Sequence, residues 1–168
     1  MAQYIREPHH QIMSLNGDGS GQQNINGDYS VTPATFFITP PAGKDFVITH
    51  IHFIIASAAA MNVADYGGIA GGITNGMIWQ TVIDGVTMDR FSGLRLKQNG
   101  DYEIISEVTL STYAGLGQVL KCEFSFPDNY TESFRLTPGN SFQIIAQDNL
   151  TALTKHYCAC YGRLEYYV

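Results

Sequence analysis

Residues 39–57 read TPPAGKDFVITHIHFIIAS, a Pro-Pro-Ala-Gly corner running into an unbroken apolar and β-branched stretch. A strand turns successive side chains to opposite faces. With that period Val47, Thr49, Ile51, Phe53 and Ile55 share one face, and Phe46, Ile48, His50, His52 and Ile54 share the other. The odd-numbered face is the core candidate. The even-numbered face mixes large apolar groups with two imidazoles, too apolar for open water, so Phe46, Ile48, His50, His52 and Ile54 are interface candidates, covered by a second layer or another subunit. The uncharged window 46–64 holds His50, His52, Thr49 and Asn62. It is not the run of about 20 mostly apolar residues that a membrane span requires, and no membrane association is expected.

Outward from this strand the same pattern repeats. "ATFFIT" precedes the corner; "GMIWQTVID" meets "GVTMDRF" through Asp84-Gly85; "LRLKQ" meets "DYEIIS" through Asn99-Gly100. Asn-Gly and Asp-Gly tolerate the positive φ of a tight hairpin turn, so both pairs predict hairpins. "GQVLKCEFSF", "ESFRLT", "NSFQIIAQD" and "KHYCACYGRLEYYV" follow, with Pro40, Pro127 and Pro138 falling between runs. No segment sustains a helical period, although "DNLTALTK" suits a single turn. The fold class expected is all-β: an antiparallel β-sandwich, jelly-roll-like, spanning residues 33–168 as one domain. Residues 1–32, with "SLNGDGSGQQNINGDYS", are rich in Gly, Asn and Gln and read as an extended polar N-terminal arm.

Charged residues are 14 % of this 168-residue chain, against about 25 % for an average soluble domain. A surface short of charge suits a component whose faces are hidden against other chains. The net charge is −6, and the densest basic group is Arg90, Arg95 and Lys97. Without a basic stripe to displace counterions from phosphates, direct nucleic-acid binding is not expected. The first residues, "MAQYIREPHHQIMSL", contain no apolar signal core, and the three cysteines Cys122, Cys158 and Cys160 are an odd number. Both point to synthesis in a cytoplasm with the thiols reduced. The glycosylation-type triplets at Asn129 and Asn149 are then chance matches.

Several constellations resemble chemical sites and fall short of them. His50 and His52 share a strand face about 6.6 Å apart, close enough to converge on one metal. With Gly43 upstream they resemble the first metal motif of cupins, yet the glutamate of that motif is missing from "FIIASAAAMN", and "LTPGNSFQII" lacks its downstream histidine. They remain the metal candidates, with no metal expected. His156, Cys158 and Cys160 alternate along a strand, the outer two about 13 Å apart, too far to share an ion. Asn16, Asp18, Ser20 and Gly21 imitate the start of a calcium loop, but the twelfth position is Gly27 instead of glutamate. "YGGIAGGITNG" (66–76) has neither the Lys-Ser/Thr ending nor the spacing of a phosphate cradle and reads as a mobile or tightly turning loop. No nucleophile motif and no paired carboxylates emerge, so no catalytic residues, no cofactor and no enzymatic activity are expected.

The segments "YSVTPATFFITPPAGKDFVITHIHFII", "YGGIAGGITNGMIWQTVIDGV", "LKQNGDYEII" and "FRLTPGNSFQIIAQDNLTALTKHYCACYGRLEYY" together resemble a group of tailed-phage virion proteins. The likeness lies in the order of a PPAG corner, an Ile-Thr-Asn-Gly before a strand, and an Asp-Asn-Leu turn before a final Gly- and Tyr-bearing strand, and covers residues 28–168. It implies a jelly-roll or related sandwich that decorates or cements the capsid from its outer surface, binding the major capsid protein as a homo-oligomer, often a trimer. A different reading is a carbohydrate- or receptor-binding module of a tail or fibre, for which Trp79, Tyr102, Tyr113 and Tyr130 are the aromatic candidates, Trp79 being the one most suited to the core.

Overall fold

The computed structural model describes residues 3–88, 94–126 and 134–168. Arg90, Pro127, Asn129 and Tyr130, singled out above, lie outside the described residues. Eleven strands and one short helix are described: β1 Tyr4–Ile12, β2 Ala34–Ile38, β3 Asp45–Ser57, β4 Met77–Ile83, β5 Val86–Met88, β6 Leu94–Leu96, α1 Asn99–Ile105, β7 Glu107–Tyr113, β8 Gly117–Ser125, β9 Phe134–Leu136, β10 Ser141–Ala146 and β11 Lys155–Tyr167. One sheet runs β1-β11-β3-β8-β7, with β9 also on β3; the other runs β2-β10-β4-β5, with β6 also on β4. Every pairing is antiparallel. The expected all-β antiparallel sandwich is the architecture observed.

Trp79 of β4 joins the two layers. Its ring lies 5.3 Å from Phe53 and 4.8 Å from Phe124 of the first sheet, and 5.7 Å from Phe142 of its own. Side chains of this size dominate the area removed from water, and Trp79, Phe53 and Phe142 are all fully buried.

The long strand β3 departs from simple alternation at one point. Tyr161 of β11 pairs with His50, but Gly162 pairs with Ile48, so Thr49 is an extra residue. One extra residue moves every side chain beyond it to the other face. Phe46 and Ile48 therefore join Ile51, Phe53 and Ile55 in the core, all at 0 % exposure. This corrects the interface reading for Phe46 and Ile48, which pack inside; His50, His52 and Ile54 do point outward and are half-buried. Val47, expected inside, sits instead between Arg163 and Arg135 in the register, and is covered. Gly162 faces the bulge because a β-carbon there would run into the Val47 carbonyl.

The leader is not a separate arm. β1 pairs with β11 from Tyr4↔Tyr167 to Ile12↔Ala159, and Met13 and Ile25 enter the core fully buried. Its polar residues hold the main chain in place: Gln11 Nε2 donates to the Gly17 carbonyl (2.7 Å), and Asn24 Oδ1 accepts the His156 N–H (2.9 Å). The leader and the rest of the chain share one core, so the boundary expected between residues 32 and 33 is not a break in packing.

The hairpin expected at Asp84-Gly85 is present, joining β4 and β5 with both residues at positive φ (52° and 78°). Asn99-Gly100 opens α1 instead. Asp101 closes the first helical turn by accepting the N–H groups of Lys97 and Gln98 (2.6 and 2.9 Å). Asn99 is meanwhile committed elsewhere, accepting the Gly67 N–H (2.8 Å) and donating to the Asn62 and Gly67 carbonyls (2.8 and 3.0 Å). Those tertiary bonds outweigh the local turn preference. The helix is seven residues long, too short to leave a period in the sequence.

The glycine-rich segment 66–76 is pinned by carboxylates. Asp148 accepts the backbone N–H groups of Thr74, Asn75 and Gly76 (3.1, 3.0 and 2.9 Å), and Asp65 accepts that of Gly71 (3.2 Å). Of the two readings offered by its sequence, the tightly turning loop fits these bonds.

Candidate interaction surface

Sheet register brings together a set of side chains on the outward face of the six-stranded sheet. One rung is His10, Tyr161, His50 and Ser125; the next is Ile12, Ala159, His52, Glu123 and Glu107. Tyr161 lies between two imidazoles, stacked on His10 (centroids 5.9 Å apart, planes at 20°) and tilted against His52 (4.5 Å). His52 Nε2 lies 3.2 Å from Glu123, which also meets Lys121 at 3.6 Å. Desolvation, followed by the Lys121 charge, depresses the His52 pKa against the opposing pull of Glu123. His50 Nδ1 shares a 2.9 Å hydrogen bond with the Thr49 hydroxyl. Both histidines thus have partners of their own, and among the described residues no group of three or more His, Cys, Asp or Glu could hold a metal ion.

The other end of this face is ionic. Glu165, only 2 % exposed, meets Arg135 Nη2 (2.6 Å), Arg163 Nε (2.7 Å) and Arg6 Nε (3.1 Å), while Arg135 also holds Asp45 (2.7 Å). Burial alone would raise the Glu165 pKa; hydrogen bonds from Tyr4, Arg163 and Arg135 and the Arg135 charge outweigh it and pull the carboxyl down to about 2. The face therefore divides into an aromatic and imidazole half and an ionic half in which three guanidiniums share two carboxylates. Aromatic residues with few unpaired charges are what the centres of protein–protein interfaces contain. His10 and Tyr161 escape a reading that assigns residues 1–32 to an arm, because only the β1–β11 register places them beside His52.

The inward face of β11 carries different chemistry. His156, Cys158 and Cys160 are fully buried. His156 Nε2 is 3.0 Å from the Tyr66 hydroxyl, itself 3.1 Å from that of Tyr102. Desolvation lowers the His156 pKa to about 3 and raises the Cys122 thiol to about 12. Cys158 is likewise pushed up by burial and by Cys160. Thiols held protonated in an apolar interior are poor nucleophiles and poor metal ligands. Of the aromatic residues considered for stacking on sugars, Trp79 and Tyr102 are fully buried, which removes Tyr102 as a surface candidate, while Tyr113 is exposed. Asn16, Asp18 and Ser20 form a turn closed on itself, Asp18 Oδ1 accepting the Ser20 N–H (2.8 Å) and Asn16 Nδ2 donating to the Ser20 hydroxyl (3.2 Å).

No helix among the described residues is long and apolar enough to cross a membrane. No protein-family description, curated protein or solved structure matches this chain.

Proposed function

We propose that this chain is a non-enzymatic structural subunit of a tailed-phage virion, an oligomer that decorates or cements the outer capsid surface by binding the major capsid protein. The observation that carries the reading is the outward face built from His10, His50, His52, Ile54 and Tyr161, where the exposed Tyr161 ring packs against His10 and His52, His50, His52 and Ile54 are half-buried, and little charge is left unpaired. The charged fraction of 14 % and the resemblance of residues 28–168 to phage virion proteins support the same reading. Repetition on a shell compensates for a modest single contact, because linked copies rebind at high effective concentration. The aromatic and imidazole half of the face does the binding, and the ionic half around Glu165 lies beside it.

The test is gradient co-sedimentation with empty heads of the phage that encodes the chain. Wild-type protein is expected to travel with the heads, and the double variant His52→Ala, Tyr161→Ala to bind at least tenfold more weakly while keeping its circular dichroism. A second reading, a glycan-binding module, is favoured by one feature: Tyr4, Tyr166 and Tyr167 line an open depression together with Asp45, Arg135 and Glu165. Binding on a glycan array with no co-sedimentation would replace the first reading with the second.

A further inference from the structure

Unpaired strand edges decide whether a sheet remains single. The free side of β1 carries Pro8, with Arg6 and Glu7 beside it. β2 is covered by residue 14, whose N–H donates to the Phe37 carbonyl (3.2 Å) and whose carbonyl accepts the Phe37 N–H (3.0 Å). β5 is three residues long. Each of these carries a recognised guard against pairing with another chain.

β7 carries none. It bonds to β8 on one side, and no strand pairs with its other side among the described residues. After Glu107 it reads Val-Thr-Leu-Ser-Thr-Tyr, without charge or proline. Leu110 lies on the same side of the sheet as Val108, which packs against the core, yet Leu110 is 50 % exposed. Ile104 and Ile105 of the adjoining helix and Tyr113 at the strand end are exposed as well. A strand edge uncharged over its last six residues and free of proline, flanked by exposed apolar side chains, is a template for one more strand.

We propose that β7 is where two copies of this chain join, antiparallel, into one continuous sheet across a two-fold axis at Leu110. The strand's own pattern selects a second copy as occupant. Complete overlap of β7 with its antiparallel copy has one register: Leu110 opposite Leu110, Val108 opposite Thr112, Thr109 opposite Ser111 and Glu107 opposite Tyr113. Its sole charge then lies beside a tyrosine, and the two Glu107 carboxylates sit about 20 Å apart at opposite ends. No like charges meet, and the exposed leucines cover each other. Such a contact is isologous and closes at two copies, in place of the trimer implied by the family resemblance. The proposal rests only on the oligomeric part of the functional reading. Its test uses no capsid, so the failure of one is distinguishable from the failure of the other.

Leu110→Cys places two thiols on the axis, where opposed antiparallel residues have Cα atoms about 4.5–5.5 Å apart, within disulfide reach. The three native cysteines are buried, so the new thiol is the accessible one. Under mild oxidation this variant is expected to run at twice the chain's mass on a non-reducing gel. Leu110→Lys sets two ammonium groups against each other and is expected to raise the dimer dissociation constant at least tenfold by light scattering, with the thermal midpoint little changed. Should Leu110→Lys fail to fold, Thr109→Lys reads the same edge. A wild-type chain that stays monomeric at high micromolar concentration overturns the proposal, as does a dimer indifferent to both lysines or a Leu110→Cys variant that forms no cross-link.

Discussion

Between pH 6.5 and 3 the fold is expected to lose up to about 5 kcal/mol of stability through the single side chain of His156. The imidazole is fully buried, edge-on to Phe53 at 4.7 Å, with Tyr66 on Nε2 and no partner on Nδ1. Desolvation holds its pKa near 3, outweighing the smaller opposing effect of the Ile25 backbone. Tyr66, Tyr102, Cys122 and Cys158 around it remain protonated and neutral, so none offers it a countercharge. The sign follows from linkage. Above the unfolded value of about 6.5 both states are neutral and the full stability is present. Below it the unfolded chain binds a proton that the folded chain refuses until about pH 3, at roughly 1.4 kcal/mol per pH unit. His9 and His52, also depressed by desolvation, act in the same direction. Glu165 loses its contribution lower, as pH falls from about 4.5 through about 2. Urea unfolding from pH 7 to 4.5 is expected to show a loss of about 3 kcal/mol in the wild type and a much flatter profile in His156→Gln. Parallel profiles for the two proteins would contradict the assignment. A loss of this size matters because a whole domain holds about 5–15 kcal/mol.

The second large effect is expected at Gly162. Its β-carbon would collide with the Val47 carbonyl and crowd the Ile48 α-carbon, which are backbone atoms unable to swing aside. Gly162→Ala must either push β11 from β3 or displace the bulge at Thr49, and the latter would turn Phe46 and Ile48 out of the core. Overpacking of this kind costs about 3 kcal/mol. Gly43→Ala is the control: its φ is 73° with open space around it, so only backbone strain of about 1–2 kcal/mol applies. Chemical denaturation of both variants separates crowding from strain. A Gly162→Ala protein as stable as wild type would show that the bulge does not set the phase of β3.

These two sites mark where sequence reading stops. Periodicity identifies β3, β4 and β11, and Asp84-Gly85 gives its hairpin, because alternation and positive φ are local properties. Thr49 leaves no local mark: a bulge is defined by the partner strand, and its signal is a glycine more than a hundred residues away. Apolar content alone makes the leader an arm, whereas β1 is held by backbone pairing with β11 and by Gln11 and Asn24 acting on main-chain groups. Asn99 has the chemistry of a turn residue, and only its side-chain bonds to Asn62 and Gly67 reveal the other use. On the candidate face, His50, His52 and Ile54 are legible from the period of β3, while His10 and Tyr161 require the register of three strands. Removing the first thirty residues, harmless to the fold if they formed an arm, would instead strip an edge strand together with Met13 and Ile25.

The most direct check is an image of capsid-bound particles at a resolution that shows side chains. The chain is expected on the outer shell with His10, His52 and Tyr161 turned toward the major capsid protein. The same density with those rings facing solvent, or no density for the chain on the shell, would contradict it.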